Sequence, residues 1–282
     1  MKRMMILSGL VLAFSSATSF AVPVINYSDF SDTSGLTLNG DAAQVGNVLR
    51  VTPAIDGKAG SAFSTNTVSL SAGTSFSTYF QFQFTDPDID VCDSTGDCGA
   101  DGLVFVVQTQ SNNVGGGGGD IGYQGIANSL GIEFDTWENG SVDDFSSNHI
   151  GIDLNGDIDS VVLAEVTEAD MNDGDIWNAW VDYNSVTQLL EARLTRSATR
   201  PLNALVSYSV DLASVLGSTD AFVGFTSATG ASHANHDVLS WQLENKFAPI
   251  GSTVPEPASI ALLGAGLALL GGQRRRQNPK KR

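Results

Sequence analysis

Basic residues are scarce in this 282-residue chain, where 14 Lys and Arg stand against 31 Asp and Glu for a formal net charge of −17. Eight of the 14 sit at the two ends (Lys2, Arg3, Arg274, Arg275, Arg276, Lys280, Lys281, Arg282), which leaves six for the whole interior. Nucleic-acid binding draws most of its affinity from Lys and Arg neutralising phosphates, so DNA and RNA are not expected as partners. Cysteine is nearly absent, with two residues, too few to staple a fold that lacks its own core. No apolar run reaches the roughly 20 residues that cross a bilayer as a helix. What the chain does have is 42% hydrophobic residues and 30 Gly spread along its length, which separates it from a disordered acidic tail.

Both ends read as processing signals. Residues 1–21 carry Lys2 and Arg3, then an apolar run, then small residues ending at Ala21, the pattern of a secretory signal peptide cleaved after Ala21. The other end, residues 255–282, runs Pro255-Glu256-Pro257, an uncharged stretch over 258–272, and Arg274-Arg275-Arg276. Fifteen residues rise about 22 Å as a helix against a hydrocarbon core of about 30 Å, so the stretch is a marginal anchor with its basic end kept in the cytoplasm. The three parts in this order resemble the PEP-CTERM sorting tail of Gram-negative bacteria. That resemblance implies transient inner-membrane anchoring through 258–272, recognition and removal by an exosortase-type enzyme, and travel with exopolysaccharide systems to the cell surface or matrix. In an oxidising compartment Cys92 and Cys98 are expected to pair and stiffen one loop, with two free thiols as the alternative.

Residues 22–246 suit one all-β domain, and 247–254 read as a linker. Alternating or β-branched runs between turn signals predict strands at 75–84, 102–108, 129–135, 150–154, 179–183, 189–194, 221–226 and 238–243, with a short helix at 212–216. Many strands without intervening helices imply two packed antiparallel sheets.

The densest chemistry lies between Glu133 and Asp153. On an extended strand Glu133, Asp135 and Trp137 share one face while Phe134 takes the other. Two carboxylates so close repel unless a cation or a shared proton compensates them. Asn139, Asp143 and Asp144 follow in a loop that can fold back with further oxygen donors, and His149 offers a nitrogen. Hard oxygens suit Ca²⁺, and an added imidazole suits an ion such as Mn²⁺. A solvated acidic turn is the bland alternative.

The spacing Glu133-x-Asp135-x₃-Asn139-x₄-Asp144-x₄-His149-Ile-Gly-Ile-Asp resembles the metal-binding signature of the legume, or L-type, lectins. Ala100-Asp101-Gly102-Leu103-Val104-Phe105 is similar to that family's sugar-binding Asp segment. The segments beginning at Trp180, Val223 and Val238 are similar to its later strands. The resemblance implies a concanavalin-like jelly-roll sandwich that binds carbohydrate. Carried over residue by residue, Asp135, Asn139, Asp144 and the Trp137 carbonyl would hold Ca²⁺, while Glu133, Asp135, Asp144 and His149 would hold a Mn²⁺-like ion. Asp101, after a cis bond from Ala100, would accept hydrogen bonds from sugar hydroxyls. Asn139 and a backbone N–H of Gly118 or Gly119 would donate others. Trp137 or Tyr123 would supply an aromatic surface, and the loop carrying Ser232 and His233 would set specificity. Oligomeric state is left open.

Three departures and two rivals qualify this reading. Phe145 stands where the family often has Pro, Glu138 adds a charge, and the segment from Asp86 to Asp101 is unusually acidic, a solvated loop with an extra Ca²⁺ as the alternative. Asp153-Leu-Asn-Gly-Asp157-Ile-Asp159 begins like an EF-hand but has Ile158 where that loop needs Gly. His233 and His236 have three-residue spacing without the Glu of a metalloprotease. The enzymatic rival is a jelly-roll glycoside hydrolase using Glu133, Asp135 and Glu138, which requires a bulge to bring Glu138 to the face of Glu133. The other rival is a structural biofilm matrix protein without sugar binding.

Overall fold

The computed structural model describes residues 23–71, 73–115, 120–143 and 145–252. The expected signal peptide, Gly118, Gly119, Asp144 and the 255–282 tail lie outside the described residues. In chain order the strands are β1 (Ile25–Tyr27), β2 (Leu36–Gly40), β3 (Ala43–Val45), β4 (Val48–Thr52), β5 (Ala59–Ser64), β6 (Val68–Ser69), β7 (Phe76–Thr85) and β8 (Gly102–Gln108). They continue with β9 (Ser129–Asp135), β10 (His149–Leu154), β11 (Val162–Glu165), β12 (Trp177–Asn184), β13 (Leu189–Thr195), β14 (Val206–Ser209), β15 (Asp220–Ala228) and β16 (Asn235–Glu244). A short helix, α1 (Leu212–Leu216), is capped by the Asp211 carboxylate, which accepts the Ser214 N–H, and ends at Gly217 with φ +68°.

Two antiparallel sheets form a jelly-roll sandwich. One has the order β14-β13-β12-β7-β16-β4-β3 with β1 added to β16, and the other β11-β10-β9-β8-β15-β5-β2 with β6 added to β15. All eight predicted strands and the helix are present, two strands and the helix with the predicted bounds and the rest within three residues. Strands β1–β6, β11 and β14 were not anticipated. Segments such as Leu-Thr-Leu-Asn-Gly in β2 and Ala-Gly-Ser-Ala-Phe-Ser in β5 carry weak strand propensity, and pairing with distant partners decides them.

The core lies between the sheets and is aromatic. In β7, Phe80, Phe82 and Phe84 are buried and alternate with half-exposed Tyr79, Gln81 and Gln83, the period-2 pattern that aims one face inward. The Phe80 ring meets three strands of the facing sheet, with centroids 5.7 Å from Phe105, 5.7 Å from Phe134 and 5.0 Å from Phe225. Strand β8 is buried throughout because its other face is covered too. There Val104 and Val106 pack with Phe63, Ile121, Tyr123 and Ile126 in a second, smaller cluster. Tyr123 is therefore fully buried, its hydroxyl 2.8 Å from Ser129 Oγ and accepting the Gly156 N–H at 3.2 Å. Burial pushes its ionisation upward. This corrects the expectation that Tyr123 offers an aromatic surface to a sugar, since its ring fills the core under the 120–128 loop.

A buried hydroxyl chain links the sheets. Ser227 Oγ donates to the Gly102 carbonyl at 2.6 Å, Thr52 Oγ1 lies 2.7 Å from Ser227 Oγ, and His236 Nδ1 lies 2.8 Å from Thr52 Oγ1. Each hydroxyl has one proton, so Thr52 donates to Ser227 and His236 donates from Nδ1 as a neutral ring. Burial, reinforced by the Arg50 charge, pushes the His236 pKa down to about 3.

Replacing Phe80 with Ala should cost about 3–5 kcal/mol of stability in a urea unfolding titration, from lost transfer energy and the cavity left behind. Because His236 stays neutral in the fold but protonates near pH 6.5 when unfolded, its contribution is complete above that pH. It is then lost as pH falls toward 3, by about 1.4 kcal/mol per unit. Unfolding midpoints measured from pH 7 to 4 should fall less steeply in His236→Gln than in the wild type.

Candidate metal and carbohydrate site

Strand register brings the proposed ligands together. In the β9–β10 ladder Asp135 pairs with His149 and Glu133 with Gly151. Glu133 and Asp135 therefore point to the outer face of their sheet, while Phe134, Ile132, Ile150 and Ile152 fill the core behind. Ligating atoms of Glu133, Asp135 and His149 all lie within 4.8 Å of one another, and all three residues are buried. His149 Nε2 is 3.1 Å from Glu133 Oε1. Asp135 Oδ1 accepts the Trp137 N–H at 2.7 Å, which folds the chain back at the strand end.

Two residues complete this cluster that were not among the expected ligands. Asp153, from the EF-hand-like stretch, is fully buried at the end of β10, and Ser160 Oγ lies 2.6 Å from its Oδ1 and 2.7 Å from Glu133 Oε1. Burial raises the Asp153 pKa well above the carboxylate range, and the Glu133 charge raises it further. Ser160 has no strand-period relation to the ligands and joins them only through the turn after β10, while Asp153 carries the alternating register of β10 and was legible in principle. Gly151 makes the closeness feasible, since a Cβ there would lie 2.1 Å from Ser160 Oγ and 2.2 Å from Glu133 Oε1. Three buried carboxylates and an imidazole form a donor set that suits a divalent cation, because carboxylates this close repel one another and a cation between them offsets that repulsion.

Asp101 lies beside this cluster. It is buried, its bond from Ala100 is cis, and its N–H donates to the Ala228 carbonyl at 3.1 Å while its carbonyl accepts the Thr136 N–H at 3.0 Å. The next residue, Gly102, pairs with Asp135 across the β8–β9 ladder. At Gly102, with φ +137°, a Cβ would lie 2.3 Å from the Phe134 carbonyl, so glycine lets β8 start against β9 there. The loop after β15 comes close as well, a Cβ on Gly230 falling 3.5 Å from Asp101 Oδ2.

A family model described as "Legume lectin domain" matches residues 24–256. The chain belongs to the legume lectin family. A second model, the PEP-CTERM protein-sorting motif, matches residues 253–276 and indicates export and surface or extracellular sorting in Gram-negative bacteria. Among curated relatives, the Arabidopsis thaliana L-type lectin-domain containing receptor kinase VIII.1 is 31% identical over 193 residues, covering 65% of this chain and 26% of the kinase. The Spatholobus parviflorus seed lectin beta chain is 33% identical over 187 residues, covering 62% of this chain and 71% of that one. This chain thus spans about a quarter of the length of the receptor kinases it matches. Of solved structures, a Bauhinia forficata lectin in complex with GalNAc and the basic winged bean lectin with Tn-antigen are 27% and 28% identical. Each superposes with a TM-score of 0.65 over 78% of this chain and 96% of its own. Among the described residues no helix is long and apolar enough to cross a membrane.

The remaining expected residues of this legume lectin domain are placed as follows. Asn139 is exposed and Trp137 half-buried in the loop after β9, where a 3₁₀ turn spans Gly140–Asp143. Ser232 is buried, donating to the Val91 carbonyl at 2.9 Å and accepting the Gly99 N–H at 3.3 Å, so its hydroxyl ties loops together. His233 Nδ1 sits 2.7 Å from Asp56 and 3.8 Å from Asp88. Glu138 falls beyond the end of β9, in the loop instead of on a bulge, and its carboxylate accepts Ser94 Oγ at 2.5 Å and the Gly140 N–H at 2.6 Å. The bulge that the hydrolase alternative called for does not occur among the described residues at this strand end. Cys92 and Cys98 form a disulfide, as expected.

Substituting Gly151 with Ala should leave the far-ultraviolet dichroism of the sandwich intact. Because the new Cβ pushes Glu133 and Ser160 apart, it should weaken divalent-cation binding by about 1–3 kcal/mol in isothermal titration calorimetry.

Proposed function

We propose that this chain is a secreted, Ca²⁺-dependent carbohydrate-binding protein that recognises exopolysaccharide or surface glycans. The observation that carries the reading is the junction of the buried Glu133–Asp135–His149 cluster with Asp101 through the Gly102–Asp135 pair of adjacent strands. Asp135, Asn139, Asp144 and the Trp137 carbonyl are the residues that would hold Ca²⁺. Glu133, Asp135, Asp144 and His149 would hold a second, Mn²⁺-like ion. When bound, the ions supply fixed positive charge that neutralises the carboxylates and orders the Asn139 loop.

The sugar chemistry belongs to the chain itself. A neutral sugar presents paired hydroxyls that both donate and accept, so recognition needs a fixed acceptor, a fixed donor and a close backbone. Asp101 accepts from adjacent hydroxyls, the Asn139 amide donates, and an N–H of Gly118 or Gly119 donates where no Cβ blocks approach. Trp137 offers its ring to the apolar face of the sugar, and the loop carrying Ser232 and His233 shapes the rim. Residues 22–246 act as the binding domain. Residues 1–21 direct export, and 255–282 hold the chain at the inner membrane through 258–272 until an exosortase-type enzyme removes them.

A glycan array probed with Ca²⁺ and then with a chelator tests this directly. Binding should appear with Ca²⁺ and vanish with chelator, and Asp101→Ala should lose about 1.5–3 kcal/mol of affinity while keeping the wild-type melting temperature. Absence of binding in Ca²⁺, cleavage of the arrayed glycans, or undiminished binding by Asp101→Ala would overturn the reading.

A further inference from the structure

The acidic segment closed by Cys92 and Cys98 has no role in the binding chemistry above, yet its hydrogen bonds run to both ends of the loop that carries Asn139. Inside the segment, Asp93 Oδ1 accepts the N–H groups of Thr95, Gly96 and Asp97 at 2.9, 3.0 and 3.1 Å and the Thr95 hydroxyl at 2.7 Å. Burial raises the Asp93 pKa, but these bonds and the one from Glu138 outweigh it and hold the carboxyl below its ordinary value. One carboxylate oxygen thus fixes the shape of the turn, and the other faces outward. Asp93 Oδ2 accepts the Glu138 N–H at 3.1 Å, and Ser94 Oγ donates to Glu138 Oε2 at 2.5 Å. Further along the segment, Thr95 Oγ1 lies 3.0 Å from Ser147 Oγ, and Ser147 Oγ donates to Asp97 Oδ2.

The gripped points are telling. Glu138 precedes Asn139 and Ser147 follows Asp144, so the two contacts bracket Asn139 and Asp144 and end two residues before His149. Phe145, inside the bracket, is 68% exposed, and its N–H donates to the Gly140 carbonyl at 2.9 Å. On its opposite side the segment is sewn to the rest of the proposed site. The Cys98 carbonyl accepts Asn172 Nδ2 at 3.1 Å, and Ser232 Oγ links the Gly99 N–H to the Val91 carbonyl, next to Ala100 and Asp101.

We infer that the disulfide-closed segment 91–99 is a clasp that holds Glu138 and Ser147, the residues on either side of Asn139 and Asp144, with Asp93 and Ser147 as positioning residues, so that Ca²⁺ affinity depends on the Cys92–Cys98 bond. The inference rests on the metal reading under Proposed function. A loop pre-ordered for its ligand loses less freedom on binding, so opening the clasp lowers affinity without removing any ligand. The dependence also makes Ca²⁺ binding sensitive to the thiol–disulfide state of the surroundings.

The test is a Ca²⁺ titration by calorimetry on the full chain as wild type, as Cys92→Ser/Cys98→Ser, and as Ser147→Ala, with melting temperatures taken in Ca²⁺ and after chelation. The clasp predicts a Ca²⁺ Kd raised about tenfold or more by the double substitution and several-fold by Ser147→Ala, as pre-organisation is lost. It also predicts a melting temperature lowered more in Ca²⁺ than in chelator. A purely structural bond would lower both melting temperatures alike and leave Kd unchanged, which overturns the clasp alone. If the double variant does not fold, Ser147→Ala decides by the same criterion. Failure of the oxidised wild type to bind Ca²⁺ at all overturns the metal reading, and the clasp with it.

Discussion

Three carboxylates and an imidazole share a water-poor patch on the outer face of one sheet, and much of the molecule is arranged around that electrostatic conflict. Glu133 and Asp135 stand two residues apart on β9, with His149 and Gly151 opposite them on β10 and Asp153 beyond. Such a group is stable only with compensation, which within the chain comes from the Ser160 hydroxyl, the His149 ring and the Trp137 N–H. The register that crowds the charges is in turn imposed by the opposite face, where Phe134, Ile132, Ile150 and Ile152 lock into an aromatic core. Slipping either strand by one residue would put carboxylates into that core, so the hydrophobic effect holds the polar site in place.

The same logic links the two sheets to the proposed sugar site. Gly102 is a joint between systems. Its carbonyl ends the hydroxyl chain from His236 through Thr52 and Ser227, it pairs with Asp135, and it follows Asp101. The close start of β8 against β9 leaves no room for a side chain there, and so the acceptor Asp101 lies at the margin of the charged cluster. Around this rigid ground the loops are polar and depend on hydrogen bonds for their shape, the disulfide-closed segment most of all.

Much of this was legible in the chain itself. The strands with strong alternation, β7 through β10 and β12, β13, β15 and β16, were readable because their inward residues repeat every second position. The first six strands were not, because residues such as those of β5 prefer no particular state until β15 and β2 lie beside them. At the site, Glu133, Asp135 and His149 could be grouped from spacing, since two strands joined by a loop place near neighbours in register. Tyr123 was misjudged because an aromatic residue in a Gly-rich loop looks available for contact, and only the second cluster above β8 shows what covers it. Glu138 was weighed as a strand residue that a bulge would have to turn, and the chain instead leaves the strand at Asp135.

By itself the sequence determined the class of fold, the C-terminal sorting motif, the acidity that argues against nucleic acid, and the resemblance to a legume lectin, because all of these are carried by local period, composition or short motifs. Only the tertiary structure decided that Ser160 joins the carboxylate–imidazole cluster, that Ser232 stitches loops together, and that the Cys92–Cys98 segment grips Glu138 and Ser147. These are contacts between side chains distant in sequence or separated by irregular turns. Their positions follow from how two sheets pack and close their loops, which no local pattern encodes.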